Sequence, residues 1–336
     1  DQPRLNYDIS NGVVQSCPSL LLEPASTNLY PYSQYYGTGG LVVYATGTQT
    51  HTITNNYSIS PDGTLNAIRF QATIGNTSSD RVVLRDYLTT SAVDSTISVY
   101  AKSNTNSNYT MVFHYEGGTR DTFIVTSEWQ RFSFSEASAS ANNVGVELRG
   151  GTTSLEADVS LWGFQFENQS YPTSIIPTNG ASQTRAAETC LNAGTASTFN
   201  DSEGVLYAEI AALSDDGTSR RISLSDGSIS NRISLEIDET ANRLKLFVDS
   251  SVLTANGITL TNFNKIAAKY KANDYALWVN GEPVATLTTQ SNVPTGLEKL
   301  DFAGALGGND FYGNCKDIRV YNEALTDAQL QTLTTL

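Results

Sequence analysis

The sequence predicts an all-β protein made of two antiparallel β-sandwich domains, with one short helix at the C-terminus. Three observations carry that prediction. Runs of alternating apolar and polar residues recur roughly every 8–15 residues, the spacing of sandwich strands rather than of βαβ units. Gly, Asn, Asp and Ser bound these runs, and only 16% of positions are charged against 39% hydrophobic, a composition suited to exposed β-structure with many turns. At 336 residues the chain is long enough for two domains, each with its own core.

In chain order, the alternation places strands near Leu20–Glu23, Leu41–Tyr44, Leu65–Thr73, Arg81–Leu84, Thr96–Lys102, Tyr109–Tyr115, Thr122–Val125, Trp129–Ser135, Asn143–Leu148 and Ala157–Glu167. Tyr171–Ala187 breaks the rhythm with Pro172, Pro177 and Gly180, as a linker or a strap across a sheet does. This sets the expected domains at 1–187 and 188–336. Strands resume at Gly204–Ala212, Ser219–Leu224, Arg232–Glu236, Arg243–Val248, Phe263–Tyr270, Tyr275–Asn280, Val284–Thr288, Lys299–Ala303 and Phe311–Tyr321. Asp216-Gly217, Asp226-Gly227, Asn256-Gly257 and Asn280-Gly281 are favourable hairpin pairs between them. Thr326 can cap a final helix whose apolar positions are Leu325, Ala328, Leu330 and Leu333.

The charge narrows the function classes. With 34 acidic and 20 basic residues the chain stands at −14, the wrong sign for phosphate contact, so nucleic acid is not an expected partner. The charge divides evenly, −7 on residues 1–189 and −7 on 190–336. No run approaches the ~18 apolar residues of a membrane span. Cys17, Cys190 and Cys315 lack metal or redox spacing and read as isolated thiols of a protein assembled in a reducing cytosol; one disulfide, Cys17 to Cys190, is the alternative. Met111 is the only methionine, so Asp1 is not a translation start, and the chain is a processed product, a cut piece or the remainder of something longer.

Two segments are more specific than composition. PRLNYDISNGVVQSCPSLLLEPASTNLYPYS and LWGFQFENQSYPTSIIPTNGASQTRAAE resemble the two ends of a module of tailed-bacteriophage virion proteins. Glu23, Pro24, Thr27, Asn28 and Leu29 match its E-P-x-x-T-N-L segment. Trp162, Gly163, Gln165 and Glu167 match its W-G-x-Q-x-E strand, and Tyr171 to Thr178 its Y-P-T-S-x-I-P-T strap. Between them, TISVYAK and EWQRFSFS resemble a jelly-roll carbohydrate-binding module. Ala276 to Gly281, then Phe311-Tyr312-Gly313 through Ile318 to Leu325, resemble the concanavalin-A-like, laminin-G-like lectin/glucanase sandwich. The fold class implied is two β-sandwich (jelly-roll) domains. The setting implied is the virion surface, on a tail fibre, spike or head decoration, with other virion proteins and host-surface polysaccharide as partners; the alternatives are a secreted polysaccharide-binding module or glycoside hydrolase, and a purely structural virion scaffold without a ligand. Fibres and spikes are commonly trimeric, so the analogy also implies a homo-oligomer.

The glucanase resemblance makes catalysis testable on the residues. A retaining glycosidase needs two carboxyl groups about 5–5.5 Å apart. Glu236 and Asp238 share a strand face, but Thr240 or Ala241 stands where the second glutamate belongs, so the strand reads as running into a polar turn and the protein as no enzyme. His114 reads as a satisfied strand-end histidine, and His51 lies in a Thr-rich stretch without a neighbouring carboxylate. Gly37-Thr38-Gly39-Gly40 and Gly304 to Gly308 lack the lysine of a phosphate loop and read as turns.

Sugar binding fits better. A pyranose offers an apolar face and a rim of hydroxyls, which aromatic platforms beside amides and carboxylates recognise. Tyr30, Tyr32, Tyr35 and Tyr36 cluster in the loop-like NLYPYSQYYGTGG, either for a ligand or to pack on a sheet edge or a neighbouring subunit. Trp278 and Tyr312 complete the candidates; Trp278 is either buried between sheets or displayed on a concave face, whereas Trp129 and Trp162 read as core. By resemblance a structural Ca2+ is expected, with Asp158 in the first domain and Asp215, Asp216 and Asp310 in the second as its ligands, against the alternative of ordinary surface carboxylates.

Overall fold

The computed structural model describes residues 4–7, 9, 10, 13, 14, 16–88, 93–139, 142–249 and 251–336. Pro3, Asp8, Asn11, Gly12 and Gln15 of the opening motif lie outside them. The chain divides into two compact units, Ala25–Ala186 on one hand and Asp1–Pro24 with Ala187–Leu336 on the other. The division near residue 187 falls in the Pro-rich stretch. Assigning the first 24 residues to the first domain is corrected.

The reason is a strand pairing. Ser19–Leu22 runs antiparallel to Gly313–Tyr321, with Leu22 opposite Gly313 and Leu20 opposite Cys315. This sequence-distant pair extends a seven-stranded sheet, in the order Leu5–Asn6, Ser19–Leu22, Gly313–Tyr321, Glu203–Ala212, Asn264–Lys271, Tyr275–Val279, Glu282–Leu287. Facing it is a five-stranded sheet ordered Ser251–Asn256, Arg243–Val248, Arg232–Ile237, Arg220–Ser225, Lys299–Asp301. Alternate side chains of both, among them Leu22, Leu206, Ile222, Leu235, Leu246 and Leu277, fill one core. Arg4 forms ion pairs with Glu23 and Glu188, and the Glu188 amide donates to the Glu23 carbonyl at 3.0 Å, which ties the N-terminal segment in.

The turn chemistry is local and follows the sequence: Gly217, Gly227, Gly257 and Gly281 all have positive φ, and Asn280 precedes Gly281 in the same left-handed region. The helix Asp327–Thr334 starts at Thr326 in a capping box with Gln329. Leu325 and Leu330 pack with Val205, Tyr207, Ala267, Ala276 and Trp278. Trp278 is therefore buried in this cluster with the helix residues and is not displayed.

In Ala25–Ala186 two five-stranded antiparallel sheets enclose a second core. One is ordered Gln130–Ala139, Val93–Ser103, Glu156–Glu167, Leu65–Ile74, Gln49–Ile59; the other Thr122–Val125, Tyr109–Tyr115, Val144–Arg149, Arg81–Asp86, Val42–Thr46. Phe70, Val99, Phe113, Val146, Phe164 and Phe166 meet between them. The eleven-residue strand Gln49–Ile59 is absent from the sequence expectation because in QTHTITNNYSI only Ile53, Tyr57 and Ile59 interrupt the polar residues, too sparse an alternation to read.

The bracketing motifs act here as structural ties. Asn28, fully buried, donates from Nδ2 to the carbonyls of Phe164 and Ile176 at 3.0 and 2.9 Å, while its Oδ1 accepts from the amides of Tyr30 and Phe166, each at 3.1 Å. Gln165 accepts from the Ile176 amide and donates to the Thr173 carbonyl; Glu167 accepts from the Thr173 amide at 3.0 Å. The polar positions of W-G-x-Q-x-E thus hold the backbone of the Pro-rich segment against its strand, which is the strap expected at Tyr171–Ala187. Gly163 has φ +67°, and a Cβ there would lie 2.9 Å from Ile175 Cδ1, so only glycine lets the strap lie this close.

Cys17, Cys190 and Cys315 are free thiols. Burial pushes the Cys315 thiol up to about 12, so it is inert at neutral pH.

Candidate functional site

The four loop tyrosines separate by environment. Tyr30 is fully buried, its hydroxyl donating to the Val144 carbonyl at 2.9 Å and its ring edge-on to Phe164 at 5.7 Å. Burial pushes its phenol well above the usual range. It is a core residue, and its assignment to sugar contact is corrected. Tyr36 is half-buried against the same core, with its amide and carbonyl both bonded to the Asn55 side chain, at 2.9 and 2.8 Å.

Tyr32 and Tyr35 remain at the surface as a pair. Their ring centroids are 5.6 Å apart at an interplanar angle of 53°, and Tyr35 is 42% exposed. The glycines that follow make the loop possible. A Cβ on Gly40 would sit 2.7 Å from the Tyr35 carbonyl oxygen, and the Leu41 amide closes the turn by donating to that oxygen at 3.1 Å.

The pair forms one wall of a cleft of ≈ 350 Å³, lined also by Gln34, Asn56, Asn66, Pro177, Thr178 and Asn179. The strap supplies the last three of these. Tyr32 bridges to Asn179, and the Thr178 amide donates to Ser33 Oγ at 3.0 Å. Asn66 Nδ2 donates to Gln34 Oε1 at 3.1 Å. Two oxygens of lining residues, Asn66 Oδ1 and Thr178 Oγ1, are buried and have no hydrogen-bond partner among the described residues, although Thr178 is only 7% exposed. Buried polar atoms are nearly always satisfied, so two of them on residues of one cleft stand out. Among the described residues, no acidic or basic side chain lines it. Aromatic faces with amide and hydroxyl groups can hold a neutral polyhydroxylated ring.

The other candidates lie elsewhere. Trp278 is buried, as described, and Tyr312 is half-buried with its hydroxyl 3.3 Å from Asp310; both belong to the other unit. Trp162 is a buried residue, but Trp129 is only half-buried, donating from Nε1 to the Ile59 carbonyl at 3.2 Å with Lys102 over its ring. Gln34, Asn56, Asn66 and Asn179 are not expected from sequence; of the lining residues beside Tyr32 and Tyr35, Pro177 and Thr178 have a signal, their place in the strap motif.

The proposed calcium ligands hold other groups. Asp158 accepts from Arg69 Nε at 2.9 Å and Nη2 at 2.5 Å, from Asn104 at 2.8 Å and from Gln71 at 3.0 Å, which occupies the lone pairs a cation would use. Asp216 takes Arg220 with both oxygens, at 2.8 and 3.0 Å, and Asp215 accepts from the Asn242 amide at 2.6 Å. Among the described residues, no three His, Cys, Asp or Glu side chains converge as ligands for a metal.

Arg69 beside Asp158 holds its carboxyl below the usual carboxylate range, against the opposing effect of burial. A carboxyl whose pKa is lower folded than unfolded stabilises above its unfolded value, about 3.9, and loses that contribution as pH falls through the folded value. Asp158→Asn is therefore expected to lose about 2 kcal/mol at pH 7 and progressively less below pH 4. Urea unfolding at pH 7 and pH 3 checks this; an equal loss at both would contradict it.

On the second sandwich, Glu236 pairs with Arg221, and Asp238 pairs with Arg243 and Lys245 and accepts from the Thr240 amide at 2.9 Å. Burial pushes the Asp238 carboxyl up, but the hydrogen bonds from Lys245, Thr240 and Arg243 outweigh it and hold it well below the usual range. Asp238 begins the polar turn expected there, its amide donating to the Arg243 carbonyl at 3.0 Å. This is a sandwich of two antiparallel sheets closed by a C-terminal helix.

Residues 178–331 match the family model of the concanavalin A-like lectin/glucanases superfamily. No curated protein matches the chain. Among solved structures, the CBM40 of the Ruminococcus gnavus IT-sialidase bound to α2,3-sialyllactose is 18% identical, covering 44% of this chain and 96% of its own at TM-score 0.36. The CBM22-1 xylan-binding domain of Paenibacillus barcinonensis Xyn10C is 14% identical over 42% and 90% (TM-score 0.27). Mouse laminin α1 domains LG4-5 are 11% identical over 75% and 91% (TM-score 0.28).

Proposed function

We propose that the chain is a non-enzymatic glycan-binding protein, and that the Tyr32–Tyr35 cleft of Ala25–Ala186 takes a neutral sugar. One observation carries this reading: a paired aromatic wall shares a cleft with amide side chains, two lining residues carry buried oxygens without a partner among the described residues, and no charged side chain among the described residues lines it. A pyranose stacks an apolar face on Tyr35 and gives hydroxyl protons to Asn66 Oδ1 and Thr178 Oγ1. The ion pairing of Glu236 and Asp238 supports the non-enzymatic part. A glycan array finds the sugar, and calorimetry then compares the parent with Tyr35→Ala. Affinity falls about tenfold or more, about 1.4 kcal/mol, with the thermal melt unchanged. Equal affinity would remove the cleft from the account.

The setting proposed is the surface of a tailed-phage virion, where copies of the chain assemble with other virion proteins and meet host-surface polysaccharide. Support comes from the resemblance of residues 3–32 and 161–188, whose matching residues Asn28, Gln165 and Glu167 tie the strap. Mass analysis of purified particles tests it: the chain is recovered among the virion proteins, and its absence from every particle fraction would end this part of the reading.

A further inference from the structure

A second cleft of Ala25–Ala186 lies on a sheet face. In the sheet that contains Glu156–Glu167, Leu65–Ile74 and Gln49–Ile59, Ala157, Phe70, Ala72 and Ile74 point into the core, so the alternate residues face outward. The register sets these in two rows across the three strands: Thr50, Thr73 and Glu156 in one, Thr52, Gln71 and Asp158 in the other. All six line a cleft of ≈ 360 Å³. Between the rows, Ala72 and Ala157 turn their side chains inward and leave backbone as its floor. Strands lie about 4.8 Å apart and alternate residues about 6.7 Å apart along a strand, so the array measures roughly 10 by 7 Å, the scale of two pyranose rings.

The groups left open in this cleft are acceptors and hydroxyls. Thr50, Thr52, Thr73 and Glu156 are exposed, and Glu156 has no ion-pair partner among the described residues. Asp158 is neutralised by Arg69, which lies outside the lining, and also accepts from Asn104 and Gln71. Gln71 gives that hydrogen bond from Nε2 and leaves its Oε1 without a partner among the described residues. Among the described residues, neither Lys nor Arg lines the cleft, and His51, in the floor row, has its Nδ1 2.8 Å from Gln49 Oε1. One uncompensated carboxylate thus stands beside threonine hydroxyls and an amide oxygen.

An ammonium group carries only donors and accepts nothing, which matches this set. A neutral ring serves the hydroxyls but leaves Glu156 without a counter-charge, and a carboxylated or sulfated sugar is repelled. We infer that this face is a second ligand site, and that it binds an amino-sugar residue with a free amine, the ammonium held between Glu156 and Thr73 and the hydroxyls on Thr50, Thr52 and Gln71. The site is independent of the Tyr32–Tyr35 cleft, which shares none of these residues.

Calorimetry on the full chain tests this with β-1,4-linked tetramers of glucosamine, N-acetylglucosamine and glucose, which differ only at C2, in slightly acidic buffer where the amine is protonated. Tetralysine serves as a cation without sugar hydroxyls. Each is measured on the parent and on Tyr35→Ala, which removes neutral-sugar binding at the other cleft, so the failure of either site is seen separately. The glucosamine tetramer binds both proteins alike, and binds Tyr35→Ala at least about tenfold more tightly than the other three ligands do. Glu156→Gln costs about fivefold, the upper end for an exposed ion pair. Thr73→Val, which keeps the shape and loses the hydroxyl, costs about threefold. In the unaltered protein the amide signals of Thr50 and Thr73 shift as the glucosamine tetramer is added, a readout that needs no variant to fold. In Tyr35→Ala, equal binding of the acetylated tetramer, the glucose tetramer or tetralysine would overturn the inference. So would loss of glucosamine binding in Tyr35→Ala, full affinity in Glu156→Gln, or unmoved Thr50 and Thr73 signals.

Discussion

Replacing Asn28 by alanine is expected to destabilise Ala25–Ala186 by roughly 4 kcal/mol, lowering its melting temperature on the order of 10 °C. Truncation leaves the Phe164 and Ile176 carbonyls and the Tyr30 and Phe166 amides without the partner that served all four. Each such buried group costs about 1–3 kcal/mol when unmade, and the short alanine side chain cannot replace any of them. The loss should be read on the transition of this unit, because a chain of two units need not unfold in one step. The strap should loosen before the sandwich melts, so amide exchange at Ile176 and Thr178 rises more than at Val99 or Val146. A loss below about 1 kcal/mol, or uniform exchange, would show that Asn28 is not the tie described.

The second large effect concerns the other unit. Deleting residues 1–24 removes Leu5–Asn6 and Ser19–Leu22 from the seven-stranded sheet, takes Leu22 from its core, and bares the edge of Gly313–Tyr321. Loss of Leu22 alone costs about 2–3 kcal/mol, and an exposed strand edge invites pairing between molecules. A piece starting at residue 187 is therefore expected to melt early and aggregate with concentration. Joining residues 4–24 to 187–336 by a short Gly-Ser linker restores it, since the Glu188 amide already lies against the Glu23 carbonyl at 3.0 Å. Light scattering and thermal melts of the two pieces decide the matter; a stable, monomeric 187–336 piece would contradict the strand's role.

These two cases mark what a sequence can carry. The helix at Asp327–Thr334, the Asn280-Gly281 turn and most strand positions depend on neighbours within a few residues, and their pattern was readable. The pairing of Leu22 with Gly313 spans nearly the whole chain, and nothing local in Ser19–Leu22 distinguishes a strand of one sandwich from a strand of the other. The tyrosines fail for a related reason. Tyr30 and Tyr35 are chemically identical and five residues apart, but Asn28 fixes the Tyr30 amide and Phe164 receives its ring, while Gly40 lets the Tyr35 loop fold over itself. Trp278 alternates with Leu277 and Val279, which leaves burial and display equally open, and it is buried in the cluster that Leu325 and Leu330 complete from the distant C-terminus. The motif residues were legible as a pattern, and their hydrogen bonds give that pattern its physical meaning as a scaffold for the cleft.

The most direct test of glycan binding at the tyrosine cleft is a crystal structure of the chain with the best neutral sugar from the array. The account predicts a pyranose face against Tyr35 and hydroxyls within hydrogen-bond distance of Asn66 Oδ1 and Thr178 Oγ1. A sugar bound elsewhere, with those two oxygens untouched, would contradict it.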